Sequence, residues 1–128
     1  MTITPVKELV TRAKSEITSL STEEAERRAA AGEIMLVDIR DPRELDREGR
    51  IPGAFRAPRG MLEFWIDPQS PYYKEALTTD KTLVLFCAGA QRSSLAVKAL
   101  QDMGVERVAE MEGGFGAWKK EGRAVEPG

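Results

Sequence analysis

Leu83-Val84-Leu85-Phe86-Cys87-Ala88-Gly89-Ala90-Gln91-Arg92-Ser93 decides the fold: an unbroken apolar run ends on the chain's only cysteine, and a tight loop of small residues follows. An apolar run without polar alternation is the signature of a strand covered on both faces. Downstream, Leu95, Ala96, Ala99, Leu100 and Met103 predict a helix face that closes at Gly104. Upstream, Ile34-Met35-Leu36-Val37 repeats the apolar run. Val105 to Met111 gives a further strand, and Gly116 to Lys120 a short helix. Strand and helix alternate, so the expected fold class is α/β, a central parallel sheet flanked by helices on both faces. Ligands of such sheets bind beyond the carboxyl ends of the strands, and Cys87 stands at one of those ends.

Toward the N-terminus, Thr4 reads as a cap and Pro5 as the first helical residue, with Val6, Leu9, Val10 and Ala13 on one face. This gives an N-terminal helical extension over residues 1–15, packed on the domain or offered as a docking surface, ahead of a main domain over 16–128. A short extended piece spans Ile17 to Leu20. Ser21 and Glu24 form a capping box for a helix that stops at Gly32. From Arg40 to Tyr73 the pattern is irregular, punctuated by Pro42, Pro52, Gly53, Pro58, Gly60, Pro68 and Pro71. Such a stretch inside a compact domain suits a functional rim.

The chain has 128 residues, 41% apolar and 31% charged, which fits one domain with a core. A formal charge of -2 argues against broad binding to nucleic acid or anionic membrane. No stretch approaches the roughly 20 apolar residues of a membrane span, and the first residues lack the pattern of a signal peptide. One cysteine makes no internal disulfide, so a reducing, cytoplasmic compartment is the default. With no histidine and no cysteine cluster, the usual zinc and copper sites lack ligands; neither metal nor cofactor is expected.

A lone free cysteine most often serves as a small buried hydrophobe. Cys87 departs from that rule by its position at a strand end, in a loop of Ala88, Gly89, Ala90 and Gln91 that leads to Arg92 and Ser93. Successive amides of such a loop curl into a nest, and the helix behind adds its positive end. An anion at the centre is stabilised, and the thiol pKa falls. Without an imidazole, the thiolate must be made by electrostatics alone.

Two segments, LVLFCAGAQRSSLAVKALQDMGVERVAEMEGGFGAWKKEG (83–122) and MLVDIRDPRELDREGRIPGAFRAPRG (35–60), resemble the signature regions of rhodanese-like sulfurtransferase domains. The similarity runs from about Thr18 to Gly122. It implies a rhodanese fold and a single catalytic cysteine, Cys87, that carries a sulfane sulfur as a persulfide. It also implies a small anionic donor such as thiosulfate, and cyanide or a thiol as acceptor. Two departures stand out. Many relatives have Gly at the fourth loop position, where this chain has Ala90, and many have histidine where Arg50 stands. The first bears on the shape of the cradle and the second on the loop framework. Related cysteine phosphatases and arsenate reductases place five residues between Cys and Arg; the four here suit a single sulfur atom. The alternatives to a turnover enzyme are a persulfide carrier serving a sulfur-relay protein partner, or a silent binding domain.

Outside the loop, Asp38 and Arg40 end the first buried strand. Asp38 could accept hydrogen bonds from the loop while Arg40 anchors the rim, or the two form a structural ion pair, the weightier use. Glu44 reads as framework. Arg59 is the candidate for the pocket mouth. Trp65 either walls the pocket or joins Phe64, Tyr72 and Tyr73 in packing. The remaining arginines among Asp41, Asp46 and Glu48 read as a solvated, charge-balanced surface. Gly113-Gly114-Phe115-Gly116 is expected to be a turn, with Trp118 in the core.

Overall fold

The computed structural model describes residues 1–128. In chain order the elements are α1 (Val6–Glu16), β1 (Ser19–Leu20), α2 (Thr22–Ala30), β2 (Ile34–Asp38), α3 (Pro42–Glu48), β3 (Phe55–Arg56), α4 (Leu62–Ile66), β4 (Thr82–Phe86), α5 (Arg92–Asp102), β5 (Val108–Met111) and α6 (Gly114–Lys120). Two single 3₁₀ turns, Arg59–Met61 and Glu75–Leu77, complete them. The strands form one sheet in the order β1-β5-β4-β2-β3, and every pairing is parallel. No helix is long and apolar enough to cross a membrane.

The two apolar runs form the middle of the sheet because both of their faces are covered. Val37, Leu83, Leu85 and Cys87 point to one side, against Leu62 and against Ala96, Val97 and Leu100 of α5. Ile34, Leu36, Val84 and Phe86 point to the other, against Ala25 of α2 and Phe115 and Trp118 of α6. The period of two places Cys87 on the α5 side. After β2 the chain leaves through α3 toward β3, and after β4 it leaves through α5 toward β5, in the opposite direction. The carboxyl ends of β2 and β4 therefore flank a topological switch point, where open α/β sheets form their crevice.

Several sequence expectations need correction. Pro5, not Thr4, is the cap of α1, without a side-chain bond; only Val10 and Ala13 are buried, while Val6 and Leu9 are exposed. α1 lies on the outside of α5, so a narrow stripe suffices to seat it. On α5, Leu95 and Ala99 are only partly covered and Met103 is exposed; the buried residues are Ser93, Ser94, Ala96, Val97 and Leu100. The face is displaced because two serines take buried places in the first turn. The irregular region contains real elements, α3, β3 and α4, each too short to show a period. Ser21 does cap α2 through the Glu24 amide at 3.0 Å. A reciprocal box forms at Asp41 and Glu44, where Asp41 accepts from the Arg43 amide and Glu44 from the Asp41 amide. β5 starts later than expected, at Val108, and α6 earlier, at Gly114.

Candidate active site

Cys87 leaves the central strand β4 and is 1% exposed. The next four residues turn the chain into α5, whose N-cap residue Gln91 supplies no side-chain cap. The first amides of α5 are therefore free of a capping side chain. Burial pushes the Cys87 thiol pKa up. The Ser93 amide, with the Gly89 and Gln91 amides, more than reverses this and holds it below an ordinary thiol. The ring of donors thus outweighs desolvation. Sγ and Ser93 Oγ lie 3.7 Å apart.

Ala90 is the only residue other than glycine with a positive φ, at +60°. The fourth loop position therefore needs the left-handed conformation that glycine adopts freely, and here alanine adopts it. Gly89 meets open space, so it keeps the mouth clear instead of relieving a close approach. From behind, α6 holds the loop: the amides of Phe115 and Gly116 donate to the carbonyls of Cys87 and Ala88 at 2.8 and 3.0 Å. The glycine turn before Trp118 is thus part of the cradle, although its sequence pattern read only as a turn.

Arg92 opens α5 and reaches across the crevice to Glu44 of α3. Its two terminal nitrogens donate to the two carboxylate oxygens at 2.7 and 3.0 Å, a fork-to-fork pair. The pair lowers the Glu44 pKa and raises that of Arg92, whose charge the Cys87 thiolate also favours. Glu44 is framework in the sense expected, and the frame it stiffens is the crevice mouth.

Asp38 and Arg40 do not line the rim. Both are buried, with Nη2 of Arg40 donating to Asp38 at 2.7 Å and to the Gly49 carbonyl at 3.0 Å, and with the guanidinium 4.0 Å over the Phe115 ring. They tie β2 to the following loops as a structural ion pair. Arg59 pairs with Glu63 at 2.7 Å, one turn along, and its amide bonds Ile39 beyond the end of β2. Trp65 meets Phe55 edge-on and packs against the core cluster that contains Cys87. Arg50 joins the C-terminal segment, exchanging two backbone bonds with Glu126 and pairing with its carboxylate at 3.1 Å. That is the framework use expected for it.

One part of the site lay outside every sequence expectation. Glu110, in the middle of β5, is fully buried; its carboxylate accepts from Ser93 and Ser94 at 2.9 Å each and from Lys14 of α1 at 2.7 Å. The signal was a lone charge within the covered strand Val108-Ala109-Glu110-Met111. Its cation lies 96 residues away in sequence.

The cavity of about 420 Å³ bordered by Glu26, Ala29, Ile34 and Trp118 includes no residue of the cysteine loop. The site is instead the loop around the buried Sγ, with amide donors and the Arg92 guanidinium acting on one sulfur.

The rhodanese-like domain model matches residues 21–121. A sulfurtransferase of Allochromatium vinosum is 30% identical over 101 residues, covering 79% of this chain and 86% of that protein. Among solved structures, a protein of unknown function from Rhodopseudomonas palustris, described as a possible tyrosine phosphatase, superposes with a TM-score of 0.92. It is 51% identical, with 98% of each chain covered. A thiosulfate sulfurtransferase from Pseudomonas aeruginosa superposes with a TM-score of 0.76 at 27% identity, over 94% of this chain and 22% of that one. With a five-stranded parallel sheet, helices on both faces and a cysteine cradle at the switch point, the chain belongs to the rhodanese-like domain family.

Proposed function

We propose that Cys87 accepts a sulfane sulfur from thiosulfate or a persulfide donor and passes it to cyanide or a thiol acceptor. The observation that carries this is the place of the buried Cys87 at the carboxyl end of β4, in a loop leading to Arg92, where the Gly89, Gln91 and Ser93 amides lower the thiol pKa without any imidazole. The Cys87 thiolate attacks the outer sulfur of thiosulfate. The sulfur–sulfur bond breaks, and sulfite leaves with the electron pair. A weakly basic leaving group makes this step fast without a general base. The persulfide's terminal sulfur is anionic and stays within the same ring of amides. An acceptor nucleophile then attacks that sulfur and the Cys87 thiolate departs, giving covalent catalysis with ping-pong kinetics.

A cytoplasmic address goes with this chemistry, because an unpaired cysteine suits a reducing compartment. The acceptor thiol belongs either to a small molecule or to a relay partner. Steady-state thiocyanate formation marks the turnover enzyme, and a single loading released only by a partner protein marks the carrier.

A second activity is raised by the Rhodopseudomonas relative described as a possible tyrosine phosphatase. Four residues between Cys87 and Arg92 make a ring suited to one sulfur atom; a tetrahedral phosphate needs a wider one. Intact-mass measurement after thiosulfate treatment separates the two. Wild type is expected to gain the mass of one sulfur atom and lose it to cyanide, and Cys87→Ser to gain nothing. Hydrolysis of an aryl phosphate without any sulfur uptake would replace this proposal with the phosphatase.

A further inference from the structure

The Glu110 network has no part in the chemistry above, yet it touches the cradle from below. A fully buried carboxylate persists only when paired and hydrogen-bonded. Its negative charge stands one hydroxyl away from the reactive sulfur, since Ser93 Oγ lies 2.9 Å from Glu110 Oε2 and 3.7 Å from Cys87 Sγ. Left alone, that charge would oppose thiolate formation. Lys14 stands against it. Its ammonium donates to Glu110 Oε1 at 2.7 Å and to the Ala90 carbonyl at 2.8 Å, the carbonyl of the one non-glycine residue at positive φ. Ser94 Oγ lies within bonding distance of the same carbonyl and of Glu110, and Ser19 Oγ is 3.4 Å from Oε1. Arg92, the cation that interacts with the sulfur itself, is matched by Glu44. The thiol thus sits near two charge-compensated pairs, and the amide ring is left to decide its ionisation.

We infer that Lys14, on the helix that precedes the family-matched segment, is a positioning residue of the sulfur site: it cancels the Glu110 charge beneath Ser93 and pins the Ala90 turn. This rests on Cys87 acting as a thiolate in the proposed transfer. The consequence is a link between α1 and thiol reactivity. Without Lys14, the uncompensated charge of the buried carboxylate raises the thiol pKa. Charge, unlike packing, gives opposite signs for removal of the two partners.

The test is the pH dependence of iodoacetamide alkylation at Cys87, which reads the thiolate and requires no sulfur donor. Lys14→Met is expected to raise the thiol pKa, with recovery of the rate at higher pH. At any pH well below both midpoints, alkylation should slow by about tenfold for every pH unit that the titration midpoint rises. Glu110→Gln, which keeps an acceptor for Ser93 and Ser94, is expected to lower the pKa. The double variant should return toward wild type, and Lys14→Arg should retain its profile. Midpoints that move in the same direction in the two single variants, or in neither, would overturn the inference. Should Lys14→Met fail to fold, Glu110→Gln and the double variant still decide it: a pKa that does not fall in the first, or does not come back in the second, overturns it. Sulfur uptake from thiosulfate is followed in parallel on wild type. If uptake is absent while the alkylation profiles move as expected, the transfer chemistry falls and the charge pairing stands.

Discussion

At Ala90 the backbone takes a conformation that costs an L-residue about 1–2 kcal/mol, and the Lys14 ammonium bonded to its carbonyl holds it there. Replacing Ala90 by Gly removes that strain, but loses a buried methyl worth about 0.8 kcal/mol and loosens the unfolded chain by about 0.4–1 kcal/mol. The opposing contributions nearly cancel, so Ala90→Gly is expected to keep stability within about 1 kcal/mol of wild type. Ala90→Val puts a β-branched residue in the left-handed region of a buried turn and should lose about 2 kcal/mol or more. Urea unfolding midpoints of both variants check the pair of values. Cys87 itself gives a pH signature. Its pKa is depressed in the folded state, so its stabilising contribution is fully present above the unfolded thiol pKa of about 8.5 and is lost as pH falls through the lower folded value. Stability should therefore climb with pH across that window in wild type. A Cys87→Ser chain whose stability rises equally across the same window would contradict it.

Among the elements, α6 is short, yet its first residues grip the cysteine loop through the carbonyls of Cys87 and Ala88. Gly114 makes the approach possible: it has a φ of +61°, and a Cβ there would run into the Cys87 and Ala88 carbonyls. Gly114→Ala should destabilise the domain by about 2 kcal/mol or more and slow alkylation of Cys87, because the loop has to retreat. A variant with wild-type melting and wild-type alkylation would show that the grip is unimportant. The same elements explain what could be read from the residues. β2 and β4 were legible because strands covered on both faces must be continuously apolar, and Cys87 with its loop followed from the end of such a strand. α3 was missed although Asp41, Pro42 and Glu44 spell a helix start, since seven residues cannot display a hydrophobic period. The α5 face was misplaced by one residue because Ser93 and Ser94 are buried, with Glu110 and the Ala90 carbonyl as their partners. Propensity and periodicity carry no information about a partner that far off in the chain.

For the whole molecule, the sheet order brings the loops after β2 and β4 apart at the switch point, and long-range pairs then close the space around the sulfur. Glu44 with Arg92 spans the crevice from α3 to α5, while Lys14 with Glu110 and Ala90 joins α1 to the sheet beneath it. We propose on this basis that residues 1–15 are an integral part of the folded unit instead of a separable extension. α1 contributes two buried apolar residues, Val10 and Ala13, together with the Lys14 ion pair. Removing one partner of a fully buried pair costs about 3–5 kcal/mol; Lys14 is itself 42% exposed, which places the loss nearer the lower end. Burial of the small apolar stripe adds about 1–2 kcal/mol. A chain lacking residues 1–15 is thus expected to lose roughly 4 kcal/mol, a large share of the stability of a domain this size. Glu110→Gln introduced into that truncated chain should recover about half, since no charge is then left buried without a partner. Urea titrations of the four chains, with and without residues 1–15 and with Glu or Gln at position 110, measure the coupling as a double-mutant cycle. A truncation that costs nothing, or a Gln substitution that gives the same change in both backgrounds, would detach α1 from the site.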